Sequence, residues 1–271
     1  MNIRYVFFGT PEFAAIILEK LIGAGLPPAG VVCNPDRPVG RKKTITPPPT
    51  KVLAVKHGIS VFQPDSFPDS SFQILAPKFD FAVVAAYSKI IPHSVIKLFP
   101  KGVIGVHPSL LPKYRGATPI QSAILAGEKE TGVTLYSIDE KVDHGAILAN
   151  SKFQMANPKI NYGELEKELA RLAADLLIKF LPDFEKTGDN GVPQNEAEAT
   201  FTKKFSTRDG FVDLEKDEPA VIERKVRALN PEPGVWTMKD GKRMKILKAE
   251  ILDGKLKPLE IQYEGGKPKN I

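Results

Sequence analysis

Cysteine is almost missing from this chain: Cys33 is the only one in 271 residues. A lone cysteine cannot form an internal disulfide, which excludes a cross-linked secreted scaffold and points to a reducing, cytoplasmic setting. It lies in the apolar run Val31 to Cys33, where a buried and inert thiol is expected. Long apolar runs are lacking too. None reaches the ~20 residues of a membrane span, and Met1 to Gly9 reads as a first strand rather than a signal peptide, so no membrane partner is expected. Phosphate-cradling fingerprints are also absent. Gly9 to Glu12 follows the first strand, but neither G-x-G-x-x-G nor G-x-x-x-x-G-K-[ST] occurs, which disfavours a dinucleotide or a nucleoside triphosphate. We find no internal repeat and no low-complexity tract.

The composition that remains, 42% hydrophobic and 26% charged, is that of a globular chain able to bury a substantial core. Its net charge of +6 is unevenly placed. Asp36 to Lys43 contributes +3 and Lys239 to Lys269 contributes +4, leaving the rest near neutral. Two basic blocks on a neutral body suit a polyanionic partner held at two places, although solvated lysines alone could produce the same pattern.

Short apolar runs alternate with amphipathic stretches through the first half. Tyr5 to Phe8, Ala29 to Cys33, Phe81 to Ala86 and Val103 to His107 read as strands. Thr10 as N-cap and Pro11 at the first helical position open a helix to about Ile22; Lys51 to His57 and Pro119 to Ala126 are further helices. Strands spaced by helices predict an open, mostly parallel, Rossmann-like α/β sheet. Thr131 to Ile138 and Ala146 to Phe153 add strands. Tyr162 to Phe184 is a long helix with Leu165, Leu169, Leu172, Leu176 and Phe180 on its apolar face. Residues 1–186 form the first domain, 187–205 a turn-rich linker, and 206–271 a small β-rich second domain with a helix over Pro219 to Leu229.

One stretch draws attention on chemical grounds. Gly105 to Gly116 carries an apolar strand straight into His107, then a proline-framed loop, with Asp143-His144-Gly145 downstream. An imidazole at the carboxyl end of a buried strand, on a rigid loop, is well placed for acid–base chemistry. Taken alone, the pair reads more readily as a satisfied strand-end histidine and a turn-capping aspartate.

Four stretches together resemble the methionyl-tRNA formyltransferase family of 10-formyltetrahydrofolate-dependent enzymes. They are Phe8 to Ala14, Pro35 to Arg41, His107 to Gly116 with Pro119-Ile120, and Thr131 to Thr134 running on to Asp143 and Gly145. Arg227-Ala-Leu-Asn-Pro-Glu-Pro-Gly234 is similar to the signature of that family's C-terminal domain. The resemblance implies transfer of a formyl group from 10-formyltetrahydrofolate to the α-amino group of methionine on initiator tRNA, by a cytoplasmic monomer that uses no metal. It assigns proton management to His107 and its orientation to Asp143. Ser109, Leu110, Leu111 and Pro112, with Ala86, Tyr87, Ile90 and Ile91, are implied at the folate site. Arg37, Arg41, Lys42 and Lys43, on the long loop from Asn34 to Pro49, are implied tRNA contacts.

Two departures stand out. Gly105 occupies the position where the family's pattern has an asparagine whose amide binds the developing oxyanion, and loss of one such donor costs about 10²–10³ in rate. Water or a backbone N–H, another side chain (His144 is adjacent), or a weakened enzyme are the three readings this leaves. The second departure is the stretch after Ile246, which is short for the family's OB-like barrel, so a reduced or open one is expected. A sugar-amine N-formyltransferase shares His107, Ser109 to Pro112 and Asp143 but has no use for the basic loop. A non-catalytic tRNA- or folate-binding homologue is the alternative motivated by Gly105.

Overall fold

The computed structural model describes residues 3–40, 42–67, 79–188 and 190–271. In chain order the elements are β1 (Tyr5–Gly9), α1 (Glu12–Gly23), β2 (Gly30–Val32), β3 (Arg37–Val39), β4 (Thr44–Thr46), α2 (Pro49–Lys56), β5 (Ser60–Phe62), β6 (Phe81–Ala85), α3 (His93–Ile96), β7 (Val103–His107), β8 (Arg115–Gly116), α4 (Pro119–Ala126), β9 (Glu130–Ser137) and β10 (Ile147–Gln154). They continue with α5 (Tyr162–Thr187), a 3₁₀ turn (Glu196–Glu198), β11 (Phe201–Thr202), α6 (Pro219–Leu229), β12 (Trp236–Lys239), β13 (Lys242–Leu252), β14 (Lys255–Tyr263) and β15 (Lys269–Asn270). Two compact units result. The first comprises Met1–Arg115, Gly132–Phe153 and Lys167–Thr200; the second comprises Gly116–Thr131, Gln154–Glu166 and Phe201–Ile271.

The first unit is organised on a seven-stranded sheet in the order β10-β9-β7-β6-β1-β2-β5. Strands β5, β2, β1, β6 and β7 pair in parallel, as the alternation of apolar runs with helices predicts. β1 is buried at every residue, which is why Tyr5-Val-Phe-Phe carries no polar side chain beyond the tyrosine hydroxyl. Phe8 and Val6 join Val32, Ala82, Val95, Phe99 and Val103 in one apolar cluster. β9 then turns back antiparallel to β7, placing Gly105 opposite Tyr136 and His107 opposite Thr134. The strand order reverses beside β1, so the carboxyl ends of β1, β2, β6 and β7 share one edge of the sheet, where open α/β folds bind ligands. Among the described residues no helix is long and apolar enough to cross a membrane.

Three local expectations are corrected. α1 starts at Glu12 with Pro11 as its N-cap, because the Thr10 hydroxyl is engaged elsewhere, accepting from the Asn34 amide at 3.2 Å. The stretch Asn34 to Pro49 is not simply a loop. β3 and β4 form an antiparallel ribbon, Arg37 opposite Thr46 and Val39 opposite Thr44, with Gly40 (φ +71°) at its tip. On α5 the buried stripe runs through Leu169, Ala173, Leu177, Leu181 and Phe184 instead of Leu172, Leu176 and Phe180. Small alanines let the helix approach closely and count as core, which a search for large apolar residues overlooks.

The second unit carries the antiparallel sheet β12-β13-β14-β15 with α6 against it. An open order replaces the full OB-like barrel, in line with the shortness of the sequence there. Two turns make it possible: Asp240-Gly241 and Asp253-Gly254 both adopt positive φ at each residue, the geometry of tight hairpins. The stretch from Ile246 to Leu259 is therefore one long hairpin, β13 and β14. The Arg227 to Gly234 signature has a structural job here. Asn230 closes α6 onto β13, its amide donating to the carbonyls of Val226 and Ile246, each at 3.0 Å. Arg227 donates from Nη1 to the Ile160 carbonyl (2.9 Å) and from Nε to Glu223 (2.6 Å).

Candidate active site

His107 ends β7 and is 5% exposed. Its Nε2 lies 2.9 Å from the carbonyl oxygen of Tyr114. Its Nδ1 faces Oδ2 of Asp143 at 3.5 Å. Because a carbonyl can only accept, Nε2 holds the proton of the neutral ring and Nδ1 is left as the basic nitrogen. The Nδ1–carboxylate distance is too long for a hydrogen bond of the neutral pair. Taking up a proton at Nδ1 turns it into a charged, hydrogen-bonded contact.

Asp143 sits in the turn between β9 and β10 with φ +49°, a left-handed conformation that aspartate tolerates better than most residues. Two carboxylate oxygens take two different partners. Oδ2 faces His107, and Oδ1 accepts from the Tyr136 hydroxyl at 2.7 Å. Gly145 is forced by close approach, since a Cβ there would overlap the Ser137 carbonyl. The turn is clamped from outside by Gln194, whose Nε2 donates to the carbonyls of Asp143 (2.9 Å) and Gly145 (2.8 Å). Gln194 is in turn held by Arg115, which donates to its Oε1 from Nη2 at 2.8 Å and from Nε at 3.1 Å. Arg115 is 2% exposed and forms a two-pronged bridge to Glu196 at 2.6 and 3.0 Å. Hydrogen bonding from Arg115, the largest cause, holds the Glu196 carboxyl below its ordinary range. Residues 190–200, linker-like in composition, thus run along the site, with the Thr200 carbonyl also accepting from the Arg115 amide at 2.9 Å.

His144 does not reach the space beside Gly105. Its Nδ1 is bound to Asp139 at 2.6 Å, with Glu196 3.7 Å from Nε2. That space is occupied by Tyr136: a Cβ on Gly105 would overlap Cε1 and Cζ of its ring and lie 2.8 Å from its hydroxyl. Burial first, and Asp143 second, push the Tyr136 phenol well above its ordinary value, so it remains a donor.

The loop after His107 is braced from β9. Thr134 donates from Oγ1 to the Ser109 carbonyl (2.7 Å) and accepts from the Leu111 amide (3.1 Å). Ser109 is fully buried and its hydroxyl donates to the Lys113 carbonyl at 2.6 Å. Leu111 is buried too, whereas Leu110 and Pro112 are half-buried. Of the other residues implied at the folate site, Ala86 is exposed at φ +49° and Ile90 is 90% exposed, which removes core packing as its role. Tyr87 and Ile91 pack against the Phe8 and Phe99 cluster. The Tyr87 hydroxyl and Asn34 Oδ1 are buried without a hydrogen-bond partner among the described residues, near the shared carboxyl edge of the strands.

On the basic ribbon Arg37, Lys42 and Lys43 are exposed, and Arg41 lies outside the described residues. Asp36 at its base is bound by Lys51 (2.9 Å) and by Gln63 (2.9 Å), and hydrogen bonding from Lys51 lowers its carboxyl. Cys33 is fully buried, and burial pushes its thiol up to about 11, so it stays protonated. Sequence reading missed Tyr136, Gln194 and the bracing role of Thr134. Only the first had a signal: a glycine in a buried strand marks close approach by something large.

The Formyl transferase family pattern matches residues 1–181, and that of the Formyl transferase C-terminal domain matches residues 204–269. The chain is 42% identical to the methionyl-tRNA formyltransferase of Chloroflexus aurantiacus over 253 residues, covering 92% of this chain and 80% of that one. It is 40% identical to the methionyl-tRNA formyltransferase of Methylococcus capsulatus over 252 residues, covering 92% and 81%. Among solved structures, HypX from Aquifex aeolicus in complex with tetrahydrofolic acid superposes with a TM-score of 0.69 at 19% identity; all of this chain is covered but 46% of that one, and the likeness is one of fold. With both domain patterns matched and two-fifths of its residues shared with these relatives, the chain belongs to the methionyl-tRNA formyltransferase family.

Proposed function

We propose that this enzyme transfers a formyl group from 10-formyltetrahydrofolate to the α-amino group of methionine on initiator tRNA. The observation that carries the reading is the pairing of His107 with Asp143 at the carboxyl edge of the parallel strands, in a chain whose curated relatives are methionyl-tRNA formyltransferases. The free amine attacks the formyl carbon, the bond from that carbon to the folate nitrogen breaks, and the amine's proton passes to His107 Nδ1 and on to the departing nitrogen. Asp143 stabilises the imidazolium formed in between. The same identity favours the tRNA branch over a sugar-amine substrate.

Ser109 and Leu111 shape the folate loop from within, while Leu110, Pro112, Ala86, Tyr87, Ile90 and Ile91 face the pterin. The exposed Ile90, and the Tyr87 hydroxyl that has no hydrogen-bond partner among the described residues, support this as an apolar cover and a polar group for a flat, amide-like ring. Arg37, Arg41, Lys42 and Lys43 contact the tRNA, as do residues 206–271. Residues 1–186 are the catalytic domain, joined through 187–205, and the enzyme works as a monomer in the cytoplasm without a metal.

Purified protein mixed with methionine-charged initiator tRNA and 10-formyltetrahydrofolate should yield formyl-methionyl-tRNA. His107→Ala should abolish the product with folate binding retained. Turnover of an amino-sugar alone, or full turnover by His107→Ala, would sink the reading.

A further inference from the structure

Gly105 and Tyr136 face each other across the antiparallel pairing of β7 and β9. The pair is a volume exchange: the ring of Tyr136, 8% exposed, lies where any side chain at position 105 would go. A carboxamide at 105 therefore requires the Tyr136 ring to leave this position. The exchange also brings a hydroxyl into the site, and it donates to Asp143 Oδ1 at 2.7 Å while Oδ2 faces His107. The bond anchors one carboxylate oxygen and leaves the other turned towards the imidazole. The tyrosine ring stands edge-on to the imidazole, 6.5 Å between centroids at 89°, and walls the side of the histidine.

We propose that Tyr136 is a positioning residue of the transfer reaction, its ring filling the site's wall beside Gly105 and its hydroxyl holding Asp143 in line with His107. This rests on the proposed roles of His107 and Asp143. It also answers the departure at position 105 in a specific way. The volume left bare at 105 is filled by a ring whose hydroxyl holds the carboxylate beside His107.

Among the described residues, the groups that face Asp143 or its neighbours include His107 from β7, Tyr136 from β9, and Asp139 with His144, bound to each other, from its own turn. Gln194 holds its carbonyl, with Arg115 and Glu196 behind. Tyr136 is the one among these whose hydroxyl donates to the side chain.

The test uses Tyr136→Phe in the full chain, which keeps the ring and removes the hydroxyl. The turnover number should fall about tenfold to a hundredfold, with KM for 10-formyltetrahydrofolate within about threefold. Unchanged turnover overturns the proposal. A second arm reads the volume exchange by thermal melting: Gly105→Asn should lower Tm sharply, and adding Tyr136→Leu should restore most of the loss. A wild-type Tm for Gly105→Asn alone overturns the steric half. His107→Ala and Asp143→Asn run in parallel. If they abolish turnover and Tyr136→Phe is silent, only this inference fails; if they leave turnover intact, the underlying site reading fails with it.

Discussion

The carbonyl oxygen of Tyr114 lies 2.9 Å from His107 Nε2 and dictates which nitrogen of the ring can act as base. We predict that nitrogen-15 NMR of histidine-labelled protein finds the neutral His107 ring as the Nε2–H tautomer. An Nδ1–H tautomer would break the proposed proton route, since Nδ1 is the nitrogen that faces Asp143.

Thr134 ties two points of the loop after His107 with one hydroxyl. Thr134→Val removes both bonds and leaves the buried Leu111 amide without that acceptor, at a cost of about 1–3 kcal/mol in urea unfolding. Loop order should matter more for folate than for chemistry, so KM for the folate should rise more than the turnover number falls. Wild-type stability and KM in Thr134→Val would mean the loop takes its shape from elsewhere, and Thr134→Ser should behave as wild type.

Arg115 and Glu196 give a pH signature of stability. The Glu196 carboxyl is lowered from an ordinary 4.5, so its contribution is present above that value and lost as pH falls through the lower, folded-state value. Wild type should therefore be more stable than Glu196→Gln at pH 7, and the gap should close below about pH 4.5 in urea unfolding series. A gap that widens on acidification has the wrong sign. Gln194→Leu, which frees the Asp143 and Gly145 carbonyls, should slow transfer about tenfold or more while leaving tRNA binding unchanged.

The ribbon β3–β4 presents Arg37, Lys42 and Lys43 to solvent. Replacing all three by alanine should weaken tRNA binding and lower the slope of log affinity against log salt by about 2–3, roughly one for each phosphate no longer neutralised. An unchanged slope would remove the ribbon from the tRNA interface.

The order of the fold was legible because buried parallel strands must be continuously apolar, as Tyr5 to Phe8 and Phe81 to Ala85 are. His107 and Asp143 were legible through a motif, not through physics, since 36 residues separate them and only β9 folding back on β7 makes them neighbours. Gln194 was not legible at all: a glutamine in a turn-rich stretch carries no mark of the carbonyls it will cap. The β3–β4 ribbon was hidden because its strands are three residues long and fully exposed, so no apolar alternation announces them. The C-terminal hairpin was visible in principle, for Asp253-Gly254 is a strong turn dipeptide.

The Gly105–Tyr136 pair also makes two positions into one variable of the site. A side chain at 105 meets the Tyr136 ring in this packing. Room for an asparagine there comes with a smaller residue at 136, and the tyrosine at 136 is accommodated by the bare backbone at 105. An engineer who changes one of the two must choose the other with it.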